Sequence, residues 1–338
     1  MLSSNSMSCR ENHTYFWSGE FLRTAYHLTA LFTIPMSILL FYCILYETPK
    51  RMKCMKPALL NLQLWITNMD FVMTIFSCPY VYFPSASGTP LGVLSNYVSV
   101  KWQSYYGQLS VTYIGVALIM LYENRQSQVM TINWKFENKR TRIIYYMINY
   151  IALSLILLPF YMTNNDQTEL REMVLKRIPC PTIEFNDKTT YVLLRGDEKI
   201  PFYSITIASM LVVGQCFFFV FHALYHLTVV TNHKLSEATK AMQKKYLACV
   251  SIQFALPMVA IIVPIIYSLY SDHFDYYNQA YNSFSMLSMS NHGLFSSLAA
   301  LYIYKPYRDF CLEKVFKRKI RKVSVTTTAK ISMASITD

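Results

Sequence analysis

Seven stretches of the chain are long, apolar and almost free of charge. They cover about 24–46, 57–82, 102–122, 143–163, 202–228, 246–270 and 281–304, and the one Asp, Glu, Lys or Arg inside them is Asp70. An α-helix rises about 1.5 Å per residue, so roughly 20 residues cross a hydrocarbon core about 30 Å thick. Lipid supplies no hydrogen-bond partner, so a single crossing segment must satisfy its own backbone as a helix. The pattern therefore predicts an all-α membrane protein, a seven-transmembrane helix bundle spanning 24–304. A polar segment, 1–23, precedes it and a tail, 305–338, follows it. Pro35, Pro159, Pro257 and Pro264 fall inside the stretches. Neighbouring helices of a bundle can re-satisfy the backbone groups that such prolines free. A soluble all-helical protein fits poorly, because its buried helices rarely run this long without charge.

Charge gives the orientation. The chain has 31 Lys+Arg against 19 Asp+Glu, a net +12, and only 15% charged residues, where soluble domains carry about 25%. Twenty-two of the basic residues lie in the first, third and fifth connections and in the tail, and nine lie on the opposite side. Cytoplasmic loops carry the Lys/Arg excess, so the N-terminus is expected outside and the C-terminus in the cytoplasm. Residues 1–23 lack an apolar core, so no cleavable signal peptide is expected. Asn12-His13-Thr14 then stands outside as a glycosylation acceptor at Asn12. Among eight cysteines, Cys9 and Cys180 face the oxidising side. A Cys9–Cys180 disulfide is expected, the alternative being two free thiols.

Beyond the last stretch, Phe310, Leu312, Val315 and Phe316 form an incomplete apolar stripe, predicting a short amphipathic helix on the inner leaflet. Lys317, Arg318, Lys319, Arg321 and Lys322 form a basic cluster suited to anionic inner-leaflet lipid. Membrane lipid thus accounts for the net charge, and no nucleic acid is expected as a partner. Cys311 is a candidate for palmitoylation, or a plain thiol.

Some polar residues point to chemistry. A carboxylate at Asp70 is costly in the membrane. It is either an ion site or switch element, or a protonated structural group. Glu123-Asn124-Arg125 stands where the third helix ends. A local acid–arginine pair there could release Arg125 to a cytoplasmic partner; the plainer reading is an interfacial anchor. Tyr105, Tyr106, Gln108 and Tyr113, with Tyr267 and Tyr281, are candidates to line a small-molecule pocket. The alternative is an interfacial aromatic belt. His222 and His226 are spaced i, i+4 but have no acidic third ligand nearby, so no metal is expected. No phosphate-binding loop, nucleophile elbow or zinc-finger spacing occurs. Neither an enzyme nor a cofactor is indicated.

Taken in order, these pieces resemble the nematode serpentine chemoreceptors of class H. The resemblance runs through Asp70, Pro79, Pro84, Gly88-Thr89-Pro90-Leu91-Gly92 and Glu123-Asn124-Arg125, the last in place of the DRY of rhodopsin-like receptors. It continues through Cys180-Pro181, Lys244-Lys245, Gln253, Pro257, His292-Gly293 and Lys305-Pro306-Tyr307-Arg308. Gln126 departs from the pattern, where an aromatic commonly follows the arginine. The resemblance implies a G-protein-coupled receptor of the plasma membrane, in the cilia of chemosensory neurons, that detects a small environmental chemical. It implies switch roles for Asp70, Arg125 and His292, and a heterotrimeric G protein as partner. Pro257 and Pro264 are expected pivots of the sixth helix. Two rivals, a ligand-gated cation channel with its N-terminus inside and a transporter, conflict with the charge split and with the absence of a repeat. A receptor-like protein without signalling stays open.

Overall fold

A computed structural model of the chain describes residues 15–129, 132, 134–162, 166–178, 180–193, 200–230 and 237–315. The side chains of 51, 160, 200–202 and 315, and of several positions between 238 and 257, lie outside that description. Cys9, Asn12 and the basic cluster from Lys317 to Lys322 fall outside it, as does the side chain of Pro257.

Among the described residues, helical runs follow the apolar pattern. α1 is Gly19–Tyr46, α2 Lys56–Phe71, α3 Val100–Ser127 and α4 Lys139–Met162. After α5, Gln167–Arg177, come α6, Ile200–Tyr225, and α7, Glu237–Phe274. The last run is divided into α8, Gln279–Ser290, and α9, His292–Ile303, before the short α10, Lys305–Phe310. Capping side chains set several starts. Ser18 accepts from the Phe21 N–H at α1, Asp166 from Thr168 at α5, and Asn278 from Tyr281 at α8. Pro57 and Pro306 fall in the first turns of α2 and α10, where a missing N–H costs nothing. Four described helical stretches are long and apolar enough to cross a membrane: Gly19–Tyr46, Val100–Ser127, Lys139–Pro159 and Tyr203–Val230. A shorter apolar one, Met258–Phe274, lies at the end of α7.

The second and seventh runs are interrupted for local reasons. The apolar pattern predicts helix to Tyr82, but α2 passes into a π-turn over Val72–Phe76 and the helix ends there. The Thr74 hydroxyl takes the Asp70 carbonyl at 2.7 Å, and the Ser77 N–H reaches back to Val72 at 2.9 Å. Pro79–Val81 then forms strand β1 instead of helix. It pairs antiparallel with β2, Ser87–Pro90, which pairs antiparallel with β3, Tyr191–Val192. Gly92 closes the turn: a Cβ there would collide with the Phe76 carbonyl, so only glycine allows that approach. In the seventh run, the Asn291 amide donates to the Leu287 carbonyl at 2.8 Å. Such a side-chain bond competes with the backbone ladder, and the helix restarts at His292.

Two faces of the bundle can be told apart by the chain ends. At the N-terminal face, the segment before α1, the β-sheet and α5 form one hydrogen-bonded cover. The Tyr80 hydroxyl donates to the Trp17 carbonyl, and the Gly19 N–H to Glu184 at 2.6 Å. Gln279 and Asn282 of α8 donate to the carbonyls of Val81 and Phe83. Arg177 joins α5 to the turn after α7, pairing with Asp275 and, at 3.0 Å, with Asp272, and it also donates to the Pro84 carbonyl. These two carboxylates hold the Arg177 guanidinium above its ordinary range against the opposing effect of burial. At the tail face, α10 lies back on the bundle. Tyr307 is fully buried with its hydroxyl 2.8 Å from Thr48, and Phe310 packs on Tyr42.

The outward surfaces of α1, α4, α6 and α7 are apolar: Leu31, Ile148, Phe221 and Val259 are all exposed. A girdle of this extent suits lipid, not water. Polar residues turn inward, where Thr33, Ser37, Gln63, Asp70, Ser110, His292 and Ser297 are buried.

Candidate functional site

The centre of the bundle holds a polar layer built from α1, α2, α3, α8 and α9. The Gln63 amide donates to Ser37, Thr67 and Ser297, at 3.3, 3.1 and 3.3 Å. Asn68 donates to Ser110 at 2.8 Å and accepts from Tyr106 at 2.7 Å. Two residues on lies Asp70, 2% exposed, with its Oδ1 3.7 Å from His292 Nδ1. That separation is too long for a hydrogen bond. His292 Nδ1 lies 2.9 Å from the Met289 carbonyl, so the bonded tautomer carries its proton on Nδ1. No side chain among the described residues bonds either Asp70 oxygen or His292 Nε2, and the Gly293 backbone N–H acts on the Asp70 carboxyl. The carboxyl lies directly over the Gly293 backbone, in the space a Cβ would occupy. Two ionisable groups from facing helices are thus pressed together where α2 turns into its π-turn and α8 gives way to α9. A π-turn inside a helix often marks a functional position. The structure brings Asp70 and His292 together; their expected switch role remains a proposal.

At the other end of α3, Glu123, Asn124 and Arg125 each engage a different neighbour. Glu123 is fully buried and its carboxylate is taken by α4: Arg142 Nε lies 3.2 Å from Oε1, and Tyr146 donates to Oε2. These partners of Glu123 are thus on α4, and the local pair with Arg125, the less plain of the two readings of the spacing, is not among them. On one helix, residues two apart do not face each other, whereas α4 delivers Arg142 and Tyr146 one turn apart on one face. Asn124 donates to the Cys54 carbonyl in the connection before α2 at 3.2 Å, and accepts from Gln128 at 2.6 Å. Arg125 is 8% exposed, and its charge acts on the Tyr307 hydroxyl of α10. Gln126 bridges two further elements, donating to the Trp134 carbonyl and lying 3.0 Å from His222 Nδ1 of α6. The residue that departs from the family pattern therefore fastens the α3–α4 connection to α6. Neither Arg142 nor Gln126 stands out in the sequence as a site residue. The i, i+4 placement of Arg142 and Tyr146 at the start of α4 is the signal that could have found the first.

Among the described residues, the six aromatic and amide candidates lie at different seams of the bundle. Tyr105 donates to the Ser154 carbonyl at 3.1 Å, and Tyr113 bonds the Ser154 hydroxyl, so both belong to the α3–α4 seam. Tyr113 also packs edge-on against Trp65 and Tyr150. Tyr106 serves Asn68 of α2, and Gln108 is half-buried one position before the apolar Leu109–Leu153–Leu157 cluster. Tyr267 and Tyr281 meet each other, 6.3 Å apart, at the N-terminal face of α7 and α8. Tyr105 and Tyr113 are half-buried, and their hydroxyls found polar partners on the neighbouring α4.

Cys180 is disulfide-bonded, and Cys9, its expected partner, lies outside the described residues. Cys311 is buried against Cys43 of α1, and burial pushes its thiol up. A palmitoyl chain at Cys311 is therefore incompatible with α10 seated as it is here. Pro257 and Pro264 both lie within α7.

A bundle of membrane-crossing helices carrying an acid–amide–arginine triplet at the end of its third helix is a serpentine receptor of the seven-transmembrane class. The family model described as serpentine type 7TM GPCR chemoreceptor Srh matches residues 17–317. The chain belongs to that family. It is 24% identical over 326 residues to serpentine receptor class H-72 of Caenorhabditis elegans, an alignment covering 94% of this chain and 92% of that protein. The protein is thus a multi-pass membrane chemoreceptor and not an enzyme.

Proposed function

We propose that this receptor detects a small environmental chemical and activates a heterotrimeric G protein, with its N-terminal face outside the cell and its tail face in the cytoplasm. The observation that carries the reading is Arg125. It stands at the tail-face end of α3, beside a buried acid fastened to α4 and beside the buried Tyr307 of α10. An arginine placed where α3, α10 and the inter-helix connections meet is suited to a partner that enters from the tail face. The partner's docking surface then comprises Arg125, residues 229–245, of which 237–245 are the first turns of α7, and the adjoining end of α6. Agonist must favour the active arrangement over the resting one, or it shifts nothing; Pro257 and Pro264 are the pivots that let α7 swing. Asp70 and His292 form the interior switch. The 22-to-nine split of basic residues supports the orientation, and with it glycosylation at Asn12, a Cys9–Cys180 disulfide and contact of the tail's basic cluster with anionic lipid. Palmitoylation of Cys311 belongs to a state with α10 lifted. The plasma membrane of chemosensory cilia is the proposed location.

Two measurements test this reading. An epitope at the N-terminus should stain on unpermeabilised cells; staining only after permeabilisation, in cells where the protein reaches the surface, reverses the orientation and favours the channel rival. Arg125→Ala, matched for surface level, should lower agonist-driven G-protein activation on the order of tenfold, the usual scale of coupling between sites. Undiminished activation by Arg125→Ala would remove the arginine from the coupling surface.

A further inference from the structure

At the N-terminal face an open cleft of about 340 Å³ separates the connection before α3 from α5 and the segment before β3. Ser95 to Val100 form one wall, and Gln167, Arg171 and Lys188 to Tyr191 the other. The volume is that of a small-molecule site, about 300–1,000 Å³. Its charge is one-sided: two cations line it, and among the described residues no carboxylate does. Asp187, next to Lys188 in the chain, is committed elsewhere. Its Oδ1 accepts from both the N–H and the hydroxyl of Thr189, each at 2.8 Å. Those bonds, with Arg171 contributing, hold its carboxyl below the usual range, so it stays ionised and bonded.

Arg171 is fixed in advance. A single nitrogen, Nη2, donates to the carbonyls of Asp187, Lys188 and Thr190, at 3.3, 3.3 and 2.5 Å. Gln167 holds the same segment by exchanging two bonds with Val192, at 2.9 and 3.2 Å. With three carbonyls served by Nη2, the buried Nε has no hydrogen-bond partner among the described residues. A guanidinium and an ammonium group on a cleft whose described lining holds no carboxylate favour an anion. The exposed Lys188 adds a mobile second cation at the rim.

A second cavity of about 170 Å³ adjoins this one, and Val100 and Tyr191 line both. Its walls include Pro79, Val81, Phe83 and Leu193, so it is mainly apolar. A charged chamber opening beside an apolar one matches a molecule with an anionic head and a short hydrophobic tail.

We propose that this double cleft is the chemical-sensing site and that it takes a small organic carboxylate, its head with Arg171 and Lys188 and its tail past Tyr191 among Val81, Phe83 and Leu193. The proposal rests on the chemoreceptor reading and names the ligand class for it. It also moves the ligand from the helices to the cover that joins α1, α3, α5 and α8. An agonist here would act by changing how that cover holds the ends of the helices.

The test is direct binding to the purified full chain in nanodiscs of zwitterionic lipid, read by saturation-transfer NMR. The probes are 3-phenylpropanoate and its neutral amide, which differ in charge and little in shape. The carboxylate should bind roughly tenfold more tightly than the amide, as expected for a charge-assisted pair. Lys188→Gln should weaken the carboxylate roughly fivefold, and Asn96→Glu, which puts a like charge on the opposite wall, by at least as much. Lys176→Gln, on an exposed position of α5 outside the cleft, should change nothing. Amide binding should be indifferent to all three. Both cleft positions are exposed, and unchanged melting curves will show that the variants fold. Equal binding of the two probes, no binding of either, or carboxylate binding unmoved by Lys188→Gln and Asn96→Glu would each overturn the proposal. No G protein enters the assay. A receptor that binds the carboxylate in this pattern but never activates a G protein would keep the site and lose the coupling mechanism.

Discussion

Gly293→Ala should strip the receptor from the cell surface, and Asp70→Ala should bring it back. A Cβ at position 293 would fall within the carboxyl group of Asp70, closer than any two unbonded atoms pack. The surroundings offer no slack: Asp70, His292, Ser296 and Ser297 are all buried, and α9 packs against both α1 and α2. Adding a methyl group to a filled interior costs about 1–3 kcal/mol, and more where helix backbones must separate. That is a large share of the margin of about 5–15 kcal/mol by which native proteins are stable. The partner substitution separates shape from charge. Asp70→Asn keeps the offending atoms and should not rescue Gly293→Ala, whereas Asp70→Ala clears the space and should. Asp70→Ala alone should fold, because it removes a buried acid that no described side chain bonds. Flow cytometry of tagged protein and melting of the detergent-purified receptor measure the cycle. Wild-type surface level and melting in Gly293→Ala would mean that Asp70 does not rest on Gly293.

That pair shows how far the sequence could be read. The seven apolar runs announce the bundle because lipid forces long uncharged segments into helices. Asp70 announces itself as the one formal charge within them. Its partner does not: His292 and Gly293 lie more than two hundred residues away, and nothing in hydropathy brings α9 to α2. They entered only through family resemblance, which names residues without giving their contacts. The break at Asn291 and the π-turn at Val72–Phe76 depend on side chains that take backbone carbonyls, a choice made between neighbours a few residues apart. The apolar count therefore overshoots the second helix by carrying it to Tyr82. α5 carries its own signals in the sequence: Asp166 caps it, and Leu170 and Val174 recur at i, i+4 on its buried face. The tyrosine candidates show a different limit. Tyrosines at helix ends look alike in sequence whether they face a ligand, a lipid headgroup or a seryl oxygen. Tyr105 and Tyr113 face the last, which only the packing of α3 against α4 decides. The cleft around Arg171 joins residues 95–100 to 167–191, and its anionic preference exists only once those two segments meet.

Arg142→Ala should destabilise the receptor more than Glu123→Ala does, and both should raise its basal signalling. Glu123 is wholly buried, while Arg142 retains about a quarter of its side-chain exposure, 27%. Removing Arg142 leaves a carboxylate inside the bundle, with the Tyr146 hydroxyl as its remaining donor from α4 among the described residues. Breaking a fully buried pair costs about 3–5 kcal/mol; with one member partly solvated, roughly 1–3 kcal/mol is expected. Removing Glu123 instead leaves a guanidinium that can extend along its stem to water or lipid headgroups. It also keeps its bond to the Phe136 carbonyl, so the loss should be smaller. Tyr146→Phe removes only a hydroxyl and should fall between the wild type and Arg142→Ala. The functional consequence follows from position. Glu123 ties α3 to α4 two residues before Arg125, and Gln126 ties the same stretch to α6 one residue after it. If activation must shift the end of α3, loosening the first tie lowers the cost of the active state without any ligand. Basal G-protein activation, divided by surface level, should then rise in Glu123→Ala and Arg142→Ala together, and the double variant should add little to either. Strict additivity in the melting temperatures would show that the two side chains do not act on each other. A normal basal level in both variants, alongside lowered melting, would leave the pair as a strut between α3 and α4 and place the activation barrier deeper in the bundle, at Asp70 and His292.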